Sequence, residues 1–296
     1  MLRWALESVR TQDLASFEAW VVGDGCSDDS EAVVAALGDS RFRWRNLDRN
    51  SGSQGAPNNE GLRLAQGSYV AYLGHDDLWF PWHLSALVRA IEETGSDLVH
   101  SLCALIGPEG AREATGPPKA GVTYESHFIP PSSWLHRTEL REACGFWGNS
   151  DRLPLAVDRE YLRRVHRAGK RIGFLPQLSV LKFPSMWWAH YRSTADRPQR
   201  PYVEAFQSDP QGMERTVLRE LAIEFARERY GGDEPWLRPV KRSVRLVGNA
   251  FLRCWGVDRW PLPRLMRWHY QRYRRSIRAV RGLNPEEPAQ LGEASQ

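Results

Sequence analysis

The stretch Gly67-Ser68-Tyr69-Val70-Ala71-Tyr72-Leu73-Gly74-His75-Asp76-Asp77-Leu78-Trp79 decides the predicted fold. Its aromatic and β-branched run, residues 69–73, lies between two glycines and is typical of a short parallel strand buried on both faces. The run leads into two adjacent acids, Asp76 and Asp77. Open α/β sheets place ligand chemistry at the carboxyl ends of their strands, and paired carboxylates suit a hard divalent cation that carries phosphates. The alternative is that the acids only cap the next helix, although Pro81 already marks a helix start nearby.

Length and composition indicate a globular protein. The chain has 296 residues, of which 42% are hydrophobic and 13 are Trp, enough for a sizeable core. Its four cysteines lie far apart without a C-x-x-C pair, which excludes a disulfide framework or a zinc site of that type and fits a reducing compartment. No apolar run approaches the roughly 20 residues that span a bilayer, and no signal-peptide core is present. We therefore expect a cytoplasmic protein, either soluble or peripheral on the inner face of the membrane.

Predicted helices and strands alternate over residues 1–183, which indicates an α/β fold. The chain begins inside an amphipathic helix, and later helices are predicted after residue 28 and at 62–66, 81–94, 138–143 and 156–168. Strands are predicted at 17–22, 42–47, 69–73, 97–106, 134–137 and 171–176, and residues 107–131 are predicted to be a long surface loop. The pattern predicts a Rossmann-like mixed sheet, mainly parallel, with helices on its faces.

Two further polar segments follow predicted strands. Asp24, in the turn Gly23-Asp24-Gly25, lies at the carboxyl end of a strand, where it either contacts a ligand or caps the following helix. Residues 50–61 form a glycine- and asparagine-rich loop that contains Asn58 and Asn59. The exposed amides of this loop, at the start of a short helix, are suited to holding an anionic ligand.

Five motifs occur in a recognisable order. They are residues 2–12, Val21-Val22-Gly23-Asp24-Gly25-Cys26-Ser27-Asp28-Asp29-Ser30, residues 55–61, Tyr72-Leu73-Gly74-His75-Asp76-Asp77, and Ala156-Val157-Asp158. Together they resemble the family 2 glycosyltransferases of the GT-A fold, over residues 1 to about 183. The resemblance implies an inverting transfer of a sugar from a nucleoside diphosphate donor to a hydroxyl acceptor on a polysaccharide, glycolipid or glycoprotein precursor.

The resemblance also implies roles for residues on the donor side. Asp24 matches the acid that contacts the base of the nucleotide-sugar, and Asn58 and Asn59 match an Arg-Asn pair, so that the usual basic residue is missing. Asp76 and Asp77 match the metal-binding motif, with Asp77 the better candidate for direct ligation of Mn²⁺ or Mg²⁺ and Asp76 beside it at the donor. His75 stands at the first acid of that motif, where it is either a ligand or a polar side chain that lines the site.

On the acceptor side, Asp158 matches the catalytic base of inverting members. An acceptor hydroxyl is a poor nucleophile, and a carboxylate opposite the leaving group can take its proton as it attacks the anomeric carbon. Val157 replaces the glutamate of the family's Glu-Asp motif. Glu160 is a second acid in the same helical turn and is the alternative base, whereas Asp151 is predicted to be a turn residue.

Some features depart from the family pattern. Its fold normally opens with a strand and a turn that form one wall of the base pocket, and this chain begins after them. We expect either a truncated reading frame or another element in that place, because a missing central strand would expose its neighbours' edges. The departures keep a second hypothesis open, that of a catalytically inactive module that binds nucleotide-sugars.

The resemblance gives no guidance beyond about residue 200. We expect a glycosyltransferase domain over 1–200, a basic, aromatic-rich helical region over 201–283, and a disordered tail over 284–296. Residues 238–281 carry many arginines against one acid, Asp258. This region either contacts an anionic membrane surface or is a helical appendage, and no recognition motif indicates nucleic acid. Trp187, Trp188, His190 and Tyr191 either border an acceptor site or, for the tryptophans, belong to the core, and His190 is a further candidate metal ligand.

Overall fold

The computed structural model describes residues 1–230, except 121, 126, 150–152, 154–155, 186 and 189–197, together with Arg275. Its helices are α1 (Leu2–Arg10), α2 (Ser30–Ala35), α3 (Gly55–Leu64), α4 (His83–Thr94), α5 (Leu140–Cys144), α6 (Val157–Arg167), α7 (Arg200–Ser208) and α8 (Pro210–Tyr230). Its strands are β1 (Ala19–Gly23), β2 (Phe42–Asn46), β3 (Tyr69–Ala71), β4 (Leu78–Trp79), β5 (Leu98–Gly107), β6 (Gly110–Thr115), β7 (Trp134–Arg137) and β8 (Ile172–Lys182), and a 3-10 turn (Pro131–Ser133) precedes β7.

The strands form two sheets. A six-stranded sheet has the order β3-β7-β5-β8-β4, with β6 paired to β5, and β1 and β2 form a separate parallel pair. The predicted mixed α/β fold is confirmed, but parallel pairing is the minority. Among the described strands, β1–β2 and β5–β8 are parallel, whereas the other four pairings are antiparallel. The alternation of helices and strands did not reveal this, because β6 and β7 reach β5 through loops without a crossover helix.

β3, which lies within the predicted strand 69–73, is at the edge of the larger sheet. β3 pairs antiparallel with β7, and Tyr69 and Ala71 remain partly exposed. The expectation of a parallel strand buried on both faces was therefore wrong. Within the described residues, β3 pairs only with β7 and β1 only with β2, so that each strand has one unpaired edge. The absence of the family's first strand stays a prediction.

Three predicted segments have different bounds. The predicted surface loop over 107–131 contains β6, which pairs with β5 from Gly107↔Gly110 to Cys103↔Thr115. Helix α3 begins at Gly55, so that Asn58 and Asn59 are helical. β8 continues past the predicted end at residue 176 and reaches Lys182, because it pairs with β5 on one side and β4 on the other. The extension brings Lys182 to the acid pair.

Helices α7 and α8 pack on the same core as the sheet. The ring of Phe206 packs at a tilt of 41° against that of Phe80, with centroids 4.6 Å apart, and Val203 and Val217 are buried in the same apolar cluster. Residues 201–230 therefore have no core of their own. The predictions for 231–296, and those for His190, Tyr191 and Asp151, lie outside the described residues. Within the described part of the chain, no helix is long and apolar enough to cross a membrane.

Candidate functional site

The acid pair follows β3 in a tight turn, in which Asp77 N donates to Gly74 O at 3.1 Å. The Asp77 side chain is fully buried. Its Oδ1 accepts a hydrogen bond from Phe183 N at 3.1 Å, and its Oδ2 accepts from Ser132 Oγ at 2.6 Å and from Lys182 Nζ at 3.0 Å. Three donors of the protein therefore hold this carboxylate, and one of them carries a compensating charge.

Lys182 is the cation of the site. It is the last residue of β8, and its side chain is 26% exposed while that of Asp77 is 0% exposed. Burial alone lowers the pKa of Lys182, but the charges of Asp77 and Asp76 outweigh it and raise that pKa. The ammonium group therefore stays charged. Lys182 was not predicted as a site residue, because no motif marks a lysine at the end of a strand.

Asp76 and His75 lie closer to solvent than Asp77. Asp76 is half-buried, and its backbone oxygen accepts a hydrogen bond from Gln199 Nε2 at 3.1 Å. His75 is exposed. In the acidic turn after β1, the hydrogen bond with Ser30 is the main cause of the lowered pKa of Asp28, and the charge of His75 makes a minor contribution.

These environments decide which acid suits a divalent cation. Mg²⁺ and Mn²⁺ need open oxygen ligands, and both oxygens of Asp77 already accept hydrogen bonds in a position closed to solvent. Direct ligation by Asp77 stays a prediction, and the geometry weighs against it. Asp76 fits the cation better because it is partly exposed. No group of three or more His, Cys, Asp or Glu side chains placed to hold a metal occurs in the described part of the chain.

Asp24 anchors the glycine-rich loop. Its Oδ1 accepts a hydrogen bond from Ser51 N at 2.8 Å, and its Oδ2 accepts from Gly52 N at 3.1 Å. Gly25 follows with φ +66°, and a side chain there would clash with Asn50 N. Asp24 does not cap the following helix, because the N-cap residue of α2 is Asp29. Its contact with a nucleotide base stays a prediction.

The two asparagines of α3 have different surroundings. Asn59 is buried and exchanges two hydrogen bonds with the backbone of Trp147, donating from Nδ2 to O at 3.0 Å and accepting from N at 2.7 Å. It joins α3 to the segment after α5. Nδ2 of Asn58 is buried and has no acceptor among the described residues. Asn58 is therefore the better placed of the two to donate to a bound ligand, and donor contact by either residue stays a prediction.

Asp158 is the second residue of α6 and is 8% exposed. Its Oδ1 accepts a hydrogen bond from Arg159 N at 2.6 Å, and its Oδ2 accepts from Gln54 Nε2 at 3.3 Å. Burial raises the pKa of Asp158, and the Arg159 N–H, the charge of Lys182 and the Gln54 amide offset only part of this rise. A buried carboxylate with a raised pKa is a stronger proton acceptor than an ordinary aspartate.

The alternative base is engaged elsewhere. Glu160 receives two hydrogen bonds from Arg164, from Nε to Oε1 at 3.0 Å and from Nη2 to Oε2 at 2.8 Å. This paired i,i+4 contact neutralises Glu160 on the helix surface. The geometry therefore favours Asp158 over Glu160 as the base.

Stacked aromatic rings support the start of α6. Trp147 and Tyr161 are nearly parallel with centroids 4.8 Å apart, and Trp134 stacks on Trp147 at 5.7 Å. Trp147 Nε1 donates to the hydroxyl of Tyr72, and this hydroxyl is 2.9 Å from His136 Nε2. Burial lowers the pKa of His136 to about 4, so its ring is neutral. The sequence did not predict this group of rings, because the stack and Tyr72 come from four separate segments of the chain.

The tryptophans after β8 pack against the protein. Trp188 Nε1 donates to Ile106 O at 2.8 Å, and its ring lies 6.2 Å from that of Phe183. The guanidinium of Arg112 lies over the ring of Trp187 at 5.7 Å. These contacts favour the structural alternative for Trp188 and leave Trp187 near the surface beside β6.

Comparison with known proteins indicates which family part of this chain resembles. Residues 1–137 match the family described as Glycosyl transferase family 2. This family segment is just under half of the 296 residues. This segment contains Asp24, Asn58, Asn59, Asp76 and Asp77, whereas Asp158 and Lys182 lie beyond it.

Three relatives are similar to parts of this chain. The chain is 36% identical over 94 residues to the succinoglycan biosynthesis protein ExoO of Rhizobium meliloti, covering 32% of this chain and 27% of ExoO. It is 38% identical over 87 residues to the putative colanic acid biosynthesis glycosyl transferase WcaA of Escherichia coli, covering 28% and 30%. It is 30% identical over 99 residues to the putative glycosyltransferase EpsH of Bacillus subtilis, covering 33% and 28%. The matched segments thus span less than a third of each relative.

A solved structure shows that the fold extends further than the family segment. The crystal structure of S. aureus TarS 1-349 in complex with UDP-GlcNAc has a TM-score of 0.53 and 20% identity to this chain. The match covers 76% of this chain and 68% of TarS 1-349. It supports the GT-A type of fold over most of this chain, including elements after residue 137.

Proposed function

We propose that this protein is an inverting glycosyltransferase that moves a sugar from a nucleoside diphosphate donor to a hydroxyl acceptor, with Asp158 as the general base. The observation that carries the proposal is the meeting of three distant segments. Gln54, from the loop held by Asp24, bonds to Asp158, while Lys182 pairs with Asp77 and its charge acts on both Asp76 and Asp158. Such a transfer requires a base close to the acids on the donor side, and Lys182 acts on both through its charge.

In the proposed reaction, Asp158 accepts the proton of the acceptor hydroxyl as the sugar is transferred. The acceptor oxygen forms a bond to the anomeric carbon while the bond from that carbon to the phosphate oxygen breaks. The hydroxyl proton moves to the carboxylate of Asp158, and the electron pair of the broken bond stays on the nucleoside diphosphate. The raised pKa of Asp158 assists the proton transfer.

A divalent cation would offset the charge repulsion between the acids of the site and the diphosphate of the donor. Of the side chains of Asp76, Asp77, Asp158 and Lys182, three are acids and one is a cation, which leaves two negative charges when all are ionised. A diphosphate would be repelled by this charge, whereas Mn²⁺ or Mg²⁺ would be attracted to it. Asp76 is the residue best placed to hold the cation, which would supply charge stabilisation to the departing diphosphate.

The relatives suggest the substrates to test first. TarS was crystallised with UDP-GlcNAc, so UDP-sugars are the first donors. The names of ExoO and WcaA refer to succinoglycan and colanic acid biosynthesis. A saccharide or lipid-linked saccharide of a cell-envelope polysaccharide is therefore the proposed class of acceptor. Peripheral contact of residues 238–281 with an anionic membrane is part of the same hypothesis and lies outside the described residues.

The deciding experiment measures both transfer and binding. The full chain is incubated with a panel of UDP-, GDP- and dTDP-sugars in Mn²⁺, in Mg²⁺ and in EDTA, and release of the nucleoside diphosphate is followed with and without saccharide acceptors. We expect acceptor-stimulated release that requires the divalent cation and is lost in Asp158→Asn. Tight donor binding without release would support the inactive binding module instead, and no binding of any nucleotide would reject both hypotheses.

A further inference from the structure

Gln54 makes the side-chain hydrogen bond to Asp158 although 104 residues separate them. Gln54 is the N-cap residue of α3, but its side chain makes no capping bond to that helix. Its amide instead donates to Asp158 Oδ2, at 3.3 Å. The side chain is thus directed away from the helix that it precedes and towards the proposed base.

The loop that carries Gln54 is fixed at several points. Asp24 accepts hydrogen bonds from two consecutive backbone N–H groups, those of Ser51 and Gly52. Ser51 Oγ donates to the backbone oxygen of Ser53 at 2.9 Å. On the other side of Gln54, a Cβ on Gly55 would lie 2.9 Å from Gly148 O, so this backbone is in close contact with the segment after α5. The amide of Gln54 is therefore presented from a constrained backbone.

We propose that Gln54 is a positioning residue for Asp158, and that the loop 50–54 links the donor-side acid Asp24 to the base through this contact. The inference rests on the proposed function. The two oxygens of Asp158 are held by different donors, Oδ1 by Arg159 N and Oδ2 by the Gln54 amide. A carboxylate torsion is broad when it is unrestrained, and two donors fix the plane in which the proton is accepted.

The same contact affects the charge of the base. Burial raises the pKa of Asp158, and an N–H donor favours the ionised form that accepts a proton. From β8, Lys182 acts in the same direction through its charge. Within α6, Glu160 is paired with Arg164. Removing the Gln54 amide should therefore raise the pKa of Asp158 further, while Lys182 keeps its effect.

The test compares Gln54→Met with Gln66→Met in the full chain. Met has a similar length and lacks the amide donor. Gln66 is exposed one residue beyond the C-cap of α3, so the control makes the same chemical change at the far end of that helix. The readouts are the ¹³C NMR titration of the Asp158 carboxyl carbon, assigned by its absence in Asp158→Asn, and the pH dependence of kcat and of the donor KM.

We expect Gln54→Met to move the Asp158 titration and the acid limb of kcat to higher pH. We also expect kcat to fall by about tenfold or more with donor KM changed less than about threefold, because misplacement of a reacting group affects the chemical step. Gln66→Met should match the wild type in every readout. An Asp158 titration in Gln54→Met that coincides with the wild type would overturn the inference, as would an equal shift in Gln66→Met.

The NMR readout separates this inference from the proposed function. If the wild type transfers no sugar but the titration moves in Gln54→Met alone, the contact is real and the proposed reaction is wrong. If the wild type transfers sugar and the titration and kcat of Gln54→Met are unchanged, the reaction stands and the positioning role of Gln54 is wrong.

Discussion

Asp77 and Asp158 are both almost fully buried, with 0% and 8% of each residue exposed, but their carboxylates have different partners. Asp77 has an ammonium group at 3.0 Å, a hydroxyl and a backbone N–H. Among the described residues, Asp158 has a backbone N–H and a neutral amide as partners, with Lys182 acting on it from further away. Burial without a paired cation raises the pKa of Asp158. Buried acids therefore differ in function according to whether their charge is already compensated.

The comparison assigns different roles to the two acids. A compensated carboxylate stabilises the packing between β8 and the turn after β3, and breaking its ion pair should change stability. An uncompensated carboxylate that faces a loop is suited to take up a proton, and changing it should affect turnover.

The largest effect is expected for Asp158→Asn. The change removes the proton acceptor while it preserves the shape of the side chain, so we expect kcat to fall by roughly 10²-fold or more. Donor affinity should stay within about threefold, because the donor-side residues are unchanged and no contact of Asp158 with them is required. Steady-state kinetics with the best donor, together with calorimetric donor binding, measure both quantities.

Glu160→Gln is the matched control for that change. Glu160 lies in the same turn of α6 and is held by Arg164, so its substitution should leave kcat close to the wild-type value. A loss of turnover in Glu160→Gln and not in Asp158→Asn would reverse the assignment of the base. If both variants retained full activity, the base would have to be sought outside this helix.

The second prediction concerns Lys182→Met. Removing the cation leaves Asp77 buried without a compensating charge, which we expect to lower the free energy of unfolding by about 3–5 kcal/mol. Urea denaturation followed by tryptophan fluorescence measures this loss. The double variant Lys182→Met with Asp77→Asn should recover much of it, because the pair is then neutral on both sides.

Lys170→Met provides the control for Lys182→Met. Lys170 lies before the other end of β8 and pairs with Asp97 at 3.5 Å in a partly exposed position, so its removal should cost less than about 1 kcal/mol. Equal stability of the two single variants would show that Asp77 does not depend on Lys182. That result would restore Asp77 as a candidate metal ligand.

The third prediction distinguishes the neighbouring acids. Asp76→Asn should weaken Mn²⁺-dependent nucleotide affinity by about tenfold or more, since ligand substitution removes charge that the cation requires. If Asp77 were the direct metal ligand, Asp77→Asn would abolish this affinity with the fold intact. From the geometry, we expect it mainly to lower stability, because one oxygen that accepts from Ser132 and Lys182 is lost.

Titration of nucleotide binding in Mn²⁺ and in EDTA, with the unfolding free energy of each variant, decides between these expectations. Loss of Mn²⁺-dependent affinity in Asp77→Asn at unchanged stability would support direct ligation by Asp77. Loss in Asp76→Asn alone would place the cation at the partly exposed acid.

The smallest effect per residue is expected from acid pH on stability. Burial lowers the pKa of His83 and His100 to about 3 and that of His136 to about 4, below the ordinary value of 6.5. Below pH 6.5 the unfolded chain binds protons that the folded chain does not, so stability falls as pH falls towards these values and is fully present above about pH 6.5. We expect a loss on the order of 1 kcal/mol per histidine between pH 7.5 and pH 5.5.

Urea midpoints at the two pH values measure this effect, and His136→Gln should reduce the difference between them. A midpoint that rises towards pH 5.5 would contradict the neutral state of the buried histidines. The measurement also sets the lower pH at which the acid limb of Asp158 can be read without interference from unfolding.

The local elements could be predicted from the sequence to different extents. β7 was predicted with its observed bounds, and α1, α4 and β5 within a few residues, because their apolar spacing is regular and glycine or proline marks several of their ends. The start of α3 and the strand β6 were missed. In both cases, glycine and polar residues predicted a loop. The start of α3 is fixed by packing of Gly55 against Gly148, and β6 is fixed by pairing with β5.

The site was predicted in part as well. Motif order placed Asp24, Asp76, Asp77 and Asp158 in one candidate site, and the structure connects them through loop 50–54 and Lys182. Lys182 and Gln54 were not predicted. A lone lysine at the end of a strand and a lone glutamine in a loop have no pattern that distinguishes them from surface residues.

Residue types and their order along the chain indicate the family resemblance and the acids that are candidates for chemistry. Which of these acids is compensated depends on the tertiary structure. The free energy of a charge depends on the groups within a few ångströms of it and on its access to water. Lys182 reaches Asp77 from 105 residues away, and Gln54 reaches Asp158 from 104 residues away. Such distances in the chain are closed only by the packing of β8 and α6 against the turns that hold the two acids.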